Sequence, residues 1–194
     1  LVALYVQDDS IDWADGWVGE VNRALVIQSS TDGDRCVEAD NQETQFNALP
    51  ISSPTIRRMT CIPGGAKLPI ATHGDSMGTE FRRGTQFKLE DSVYFTGYAQ
   101  DVLTQPPGRC LRVSDTETAQ RAQSGASSVK SSLLACSTPT SNGTNWTTVF
   151  TNGDSVANWV ANNGTGSYPA NTNNRLLTVA AGDALGVNLR ILDG

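Results

Sequence analysis

Apolar residues in this chain fall into short phrases set among polar turns, and the 3.6-residue period of an amphipathic helix is absent. A small or polar turn followed by an inward apolar position recurs four times: at Asp8-Asp9-Ser10-Ile11, Gly33-Asp34-Arg35-Cys36-Val37, Gly74-Asp75-Ser76-Met77 and Gly108-Arg109-Cys110-Leu111. A second apolar phrase follows each of them: Ala24-Leu25-Val26-Ile27, Met59-Thr60-Cys61-Ile62, Ser92-Val93-Tyr94-Phe95 and Leu133-Leu134-Ala135-Cys136. The order is turn, strand, loop, strand, repeated four times. Ile11, Val37, Met77 and Leu111 lie 26, 40 and 34 residues apart. A coil of strands tolerates such uneven spacing, because insertions leave through the loops while each strand pairs with its equivalent about 4.8 Å along the axis. The pattern predicts an all-β parallel β-helix of about four rungs, its interior filled by columns of like residues. Gly supplies positive φ at the corners, and Asp accepts hydrogen bonds from turn amides.

From Ser137 the character changes to Ser, Thr, Asn and Gly, with Trp146, Phe150, Trp159 and Tyr168 as separate anchors. The expected division is residues 1–137 as rungs and 138–194 as a loop-rich extension. In the extension, Leu185, Val187, Leu189 and Ile191 alternate as a terminal strand cap.

Composition agrees with many short strands. Gly occurs 18 times in 194 residues, and charged residues are only 18%. A net charge of −6 and the lack of a basic stripe argue against nucleic-acid binding. No apolar run approaches the roughly 20 residues that a bilayer requires. The opening Leu1-Val2-Ala3-Leu4 already reads as strand, so an upstream portion is expected to have been removed or to be absent here.

Cys36 and Cys61 are 25 residues apart, and Cys110 and Cys136 are 26 apart. Two similarly spaced pairs suggest two disulfides and an oxidising, extracellular compartment, against four buried thiols in a reducing one. If the rungs stack, Cys36 pairs with Cys61 and Cys110 with Cys136, whereas a Cys36–Cys110 bridge has to skip a rung.

Several phrases, taken together and in order, resemble a known family: Gln7-Asp8-Asp9-Ser10-Ile11-Asp12-Trp13, Glu38-Ala39-Asp40-Asn41, Ser53-Pro54-Thr55-Ile56, Phe81-Arg82-Arg83-Gly84-Thr85 and Cys110-Leu111-Arg112-Val113. They are similar to the large bacterial right-handed parallel β-helix proteins of the pectate-lyase-like class, over roughly Val6 to Ser137. The resemblance implies a right-handed coil and an address outside the cell, and no reaction.

Three groups of residues could carry chemistry. On stacked rungs Asp9, Asp34 and Asp75 fall in one column, with Asp12 beside Glu38 in another. Such carboxylates repel unless turn amides, Arg side chains or a bound Ca²⁺ intervene. Second, Asp8-Asp9 and Thr72-His73-Gly74 echo the Asp-Asp and Gly-His-Gly phrases of polygalacturonases. Here, however, a rung intervenes between them, and at about 10 Å apart they cannot serve one bond. A lyase would use Arg82, Arg83 or Arg112 as base; ion pairing with the acidic columns is the simpler role. Third, Trp13 and Trp17, with Arg82 and Arg83, are candidates for carbohydrate binding, although isolated aromatics commonly anchor loops. The Asn142, Asn145 and Asn163 triplets fit the N-glycosylation pattern and mark an exposed region.

Two functions remain in view. One is a structural or adhesive surface module that pairs with itself or other surface proteins, end to end, into a filament or layer. The other is a polysaccharide-binding or polysaccharide-degrading coil.

Overall fold

The computed structural model describes residues 1–29, 33–63, 77–95 and 108–179. Its strands in chain order are β1 (Val2–Val6), β2 (Asp12–Trp13), β3 (Glu20–Gln28), β4 (Arg35–Ala39), β5 (Thr55–Ile62), β6 (Met77–Phe81), β7 (Lys88–Glu90), β8 (Val93–Phe95), β9 (Arg109–Val113), β10 (Ser128–Lys130), β11 (Leu133–Cys136), β12 (Thr138–Asn142) and β13 (Arg175–Thr178). Three short helices, α1 (Thr116–Gln123), α2 (Trp146–Val149) and α3 (Val156–Ala161), lie in the connections. One sheet runs β1-β3-β5-β8-β11-β13, with β7 and β10 branching beside β5; the other runs β12-β9-β6-β4-β2. Among the described residues every strand pairing is parallel, and each strand lies on its counterpart one turn of the coil away. The molecule is a right-handed parallel β-helix.

A bend repeats on every turn of the first sheet. Arg23, Arg58, Asp91, Ser131 and Asn173 all have positive φ, between 47° and 59°. Register stacks Arg23 over Arg58, since Asn22 pairs with Arg57 and Ala24 with Met59. A left-handed residue other than glycine is uncommon, so five at the same place in the repeat define a corner. The corner splits the first sheet into two limbs, and with the second sheet the coil has three faces. The next residue carries a ladder along the axis. The Ser92 hydroxyl accepts from the Met59 amide at 3.2 Å, Ser132 accepts from the Ser92 amide at 3.2 Å, and Asn174 Oδ1 accepts from the Ser132 amide at 3.1 Å. These interior polar groups are thereby satisfied where a tight corner exposes backbone donors.

Inside the coil, residues stack in columns as the repeat predicts. Trp13, Ala39, Phe81 and Val113 form one buried column, and Val26, Cys61, Tyr94 and Leu134 another. The Phe81 and Phe87 rings stack with centroids 3.5 Å apart. Cys36 bonds to Cys61 and Cys110 to Cys136, so the bridges tie β4 to β5 and β9 to β11, from the second sheet to the first. Cys36 and Cys110 share a column, with Gly78 between them. A side chain at Gly78 would meet the Cys110 carbonyl and the Tyr94 ring, so this crowded rung needs glycine.

One register differs from the sequence reading. The column through Ile11 and Val37 continues through Thr79 to Leu111, while Met77 lies opposite Arg35 and Arg109, two residues earlier. Thr79 is fully buried and its hydroxyl bonds the Tyr94 hydroxyl at 2.8 Å, so a polar residue occupies an interior position. A two-residue slip keeps the same face inward, which is why apolar matching alone does not detect it.

Beyond Ser137 the coil goes on: β12 pairs with β9 and β13 with β11. The Thr138–Asn142 strand is polar and half-buried, and no apolar alternation announces it. Between β12 and β13 the chain packs Trp146, Phe150 and Trp159 to about 1% exposure, with the Trp159 indole donating to the Ala122 carbonyl at 3.1 Å. These aromatics fasten the excursion to the coil. The alternating Leu185–Ile191 segment lies outside the described residues.

Candidate functional site

The outward residues of the second sheet form the molecule's charged face. Alternating with the interior column, Asp12, Glu38, Glu80, Arg112 and Ser141 stack in register. Asp12 beside Glu38 is the neighbour pair that the repeat predicts. Carboxylates at rung spacing repel, and guanidinium groups from neighbouring positions intervene. Arg35 reaches Asp34 at 2.5 Å, Glu38 at 2.9 Å and Glu80 at 2.7 Å, with Asp9 at 3.9 Å. Arg82 grips Asp40 at 2.7 Å and also bonds Glu38. Arg83 holds Asp40 at 2.7 Å and Glu43 at 3.6 Å, and Arg112 stands 3.7 Å from Glu80.

The neutralisation is uneven. Burial disfavours the Glu80 carboxylate, but the Ser114 hydroxyl, Arg35 and Arg112 outweigh it and hold Glu80 below the ordinary glutamate value. Burial pushes Glu38 up, and Arg35 and Arg82 do not fully compensate. Burial raises Asp12 too, with Asp40 adding to the effect. Asp9 is the extreme case. Burial first, then Glu38 and Asp34, push its carboxyl up to about 7 against the pull of Arg35.

Asp8 and Asp9 lead into β2, and Asp34 leads into β4 one coil further on. One carboxylate oxygen from each of Asp8, Asp9 and Asp34 lies within 4.8 Å of the others, and Asp9, Asp12 and Glu38 form a second such group. Asp9 Oδ1 and Asp34 Oδ1 are buried and accept no hydrogen bond. Of the acids read as one column, Asp9 and Asp34 lie near each other, but the register that sets Asp12 opposite Glu38 sets Asp8 rather than Asp9 against Asp34; Asp75 lies outside the described residues, as does His73. Arg35 and Glu80 are the members that sequence reading passes over. Arg35 stands inside the recurring Gly-Asp turn phrase, but its Glu80 partner is 45 positions away.

Of the four residues considered for sugar binding, the two tryptophans lie side by side and the two arginines are held by acids. Trp13 is buried, and its indole donates to the Thr85 hydroxyl at 3.2 Å. Trp17, 5.6 Å from Trp13, is part-exposed and lines an open depression of about 400 Å³ with Ile11, Asp12, Trp13, Ala14 and Val21 at the β2 end of the coil. Arg82 and Arg83 are engaged by Glu38, Asp40 and Glu43.

A family description that fits this architecture, the pectate-lyase like beta helix domain, matches residues 1–174. The chain belongs to that family. No curated protein and no solved structure matches it. The match to this β-helix family runs through β12 and the three helices, past the point where the apolar phrases stop. Within this member of the family, no helix among the described residues is long and apolar enough to cross a membrane.

Proposed function

We propose that the chain is a structural coil of an extracellular or cell-surface β-helix protein, and that it stacks on a further coil through its β1 end. The observation that carries this reading is the state of that end. Among the described residues β1 has a strand neighbour, β3, on one side only, and its Val2, Leu4 and Tyr5 are exposed at 64%, 49% and 66%. Beside it the apolar depression under Trp13 and Trp17 stands open. An open sheet edge next to uncovered apolar residues is a template for another strand, and parallel pairing of one more coil would satisfy the edge and cover the depression. Two disulfides support an oxidising compartment. A polysaccharide site, the alternative, would need acid–arginine pairs and an exposed aromatic in one groove; Arg82 and Arg83 are held by Glu38, Asp40 and Glu43, and the open β1 edge supports the structural reading.

Sedimentation velocity over a concentration series tests it. The 194-residue chain is expected to associate as concentration rises, and Val2→Lys with Leu4→Lys, which charge the edge, is expected to keep it monomeric. A wild-type chain that stays monomeric throughout, or association unchanged in the variant, contradicts it.

A further inference from the structure

Equivalent turns of two successive coils place three carboxylates together, with two buried oxygens left over. Asp34 is 6% exposed. Its Oδ2 is taken by Arg35 at 2.5 Å, but its Oδ1 accepts nothing, and neither does Asp9 Oδ1. A buried carboxylate oxygen without a donor costs free energy, and two of them on adjacent rungs repel as well. The nearest cation, Arg35, is spread over Asp34, Glu38 and Glu80, and lies 3.9 Å from Asp9, beyond hydrogen-bond reach. The local positive charge is committed elsewhere.

We propose that Asp8, Asp9 and Asp34 hold a divalent cation of the calcium type, clamping the turn before β2 to the turn before β4. All three donors are hard oxygens, the ligand class that Ca²⁺ takes. Ca²⁺ sits about 2.3–2.6 Å from its oxygens, so two ligands on opposite sides of it are about 5 Å apart at most. The donor atoms of Asp8, Asp9 and Asp34 fall within 4.8 Å of one another, inside the spread that the ligands of one Ca²⁺ span. Mg²⁺, with its strict octahedral demand and reluctance to lose water, is less suited to a set of three carboxylates. Asp8 is exposed, which gives the ion an entry side and room for water ligands. The second group, Asp9 with Asp12 and Glu38, extends the negative field along the column. Asp75, which the sequence pattern placed in the set, is not needed for these three donors.

The experiment is calorimetric titration of the EDTA-stripped full chain with CaCl₂ and, separately, MgCl₂, alongside thermal midpoints with and without each salt. Wild type is expected to bind one Ca²⁺ in preference to Mg²⁺. Its midpoint is expected to rise by about 5 °C or more at a hundredfold excess of calcium over its dissociation constant. Asp9→Asn is expected to fold and, with one repelling charge removed, to melt no lower than wild type without metal, yet to lose the calcium response. A wild type without calcium heat or midpoint shift at millimolar concentrations overturns the proposal. So does Asp9→Asn keeping the full response, or Asp9→Asn melting well below metal-free wild type, which would make Asp9 a structural ion-pair partner.

Discussion

Asp154 shows how much one side chain can organise. It sits in the excursion between β12 and β13 and is 4% exposed. Its Oδ2 accepts from the Tyr168 hydroxyl at 2.6 Å, the Gly166 amide at 2.7 Å and Asn152 at 2.9 Å, and its Oδ1 accepts from the Thr165 amide at 2.8 Å. The Tyr168 hydrogen bond leads the causes that lower its carboxyl from 3.8 to about 2. Because the folded value lies below the unfolded one, the stability this carboxylate contributes is complete above about pH 4 and is lost as pH falls towards 2. Thermal midpoints read by circular dichroism are expected to show wild type above Asp154→Asn at pH 7, with the gap closing between pH 4 and 2; a gap constant across that range contradicts the assignment. None of this is legible in the sequence, where Asp154 is one more polar residue in a Ser/Thr/Asn/Gly-rich stretch. Asp9 and Asp34 are legible as acids of the recurring turn phrase, which puts a carboxylate just ahead of each inward strand. The role of Arg35 is not: its partners Glu38 and Glu80 become neighbours only once β4 pairs with β6.

Among the elements, strands were legible wherever apolar residues alternate, and illegible where a polar residue faces inward or the strand is polar throughout. The first case moved Met77 by two positions relative to Thr79, and the second hid β12. The bend at Arg23, Arg58, Asp91, Ser131 and Asn173 was also hidden, since these five residues share no chemistry and only their backbone conformation repeats. The half-cystines gave the clearest signal, since rungs that stack leave only neighbouring pairs within reach. Each bridge closes a loop with a sequence separation of 25 or 26 residues, which in the chain-entropy account restrains the unfolded state by about 3.5 kcal/mol. Replacing Cys36 and Cys61 together by Ser is expected to lower the urea unfolding free energy by about that much while the parallel sheets persist. A change below about 0.5 kcal/mol would mean that the coil is already held by its ladders and columns.

For the molecule as a whole, the interior columns, the polar ladder at Ser92, Ser132 and Asn174, and the outer acid–arginine face all arise from one geometric fact: residues one coil apart are vertical neighbours. The same fact brings Asp8 and Asp9 up to Asp34. Register is therefore the claim on which the rest depends, and amide proton distances in the labelled protein test it most directly. Nuclear Overhauser contacts are expected between Leu25 and Thr60, between Thr60 and Val93, and between Glu38 and Glu80, in the evenly spaced pattern of parallel strands. Close Hα–Hα contacts of antiparallel pairs between these strands, or Val37 and Thr79 on strands that do not touch, would contradict the coil and with it the proposed site.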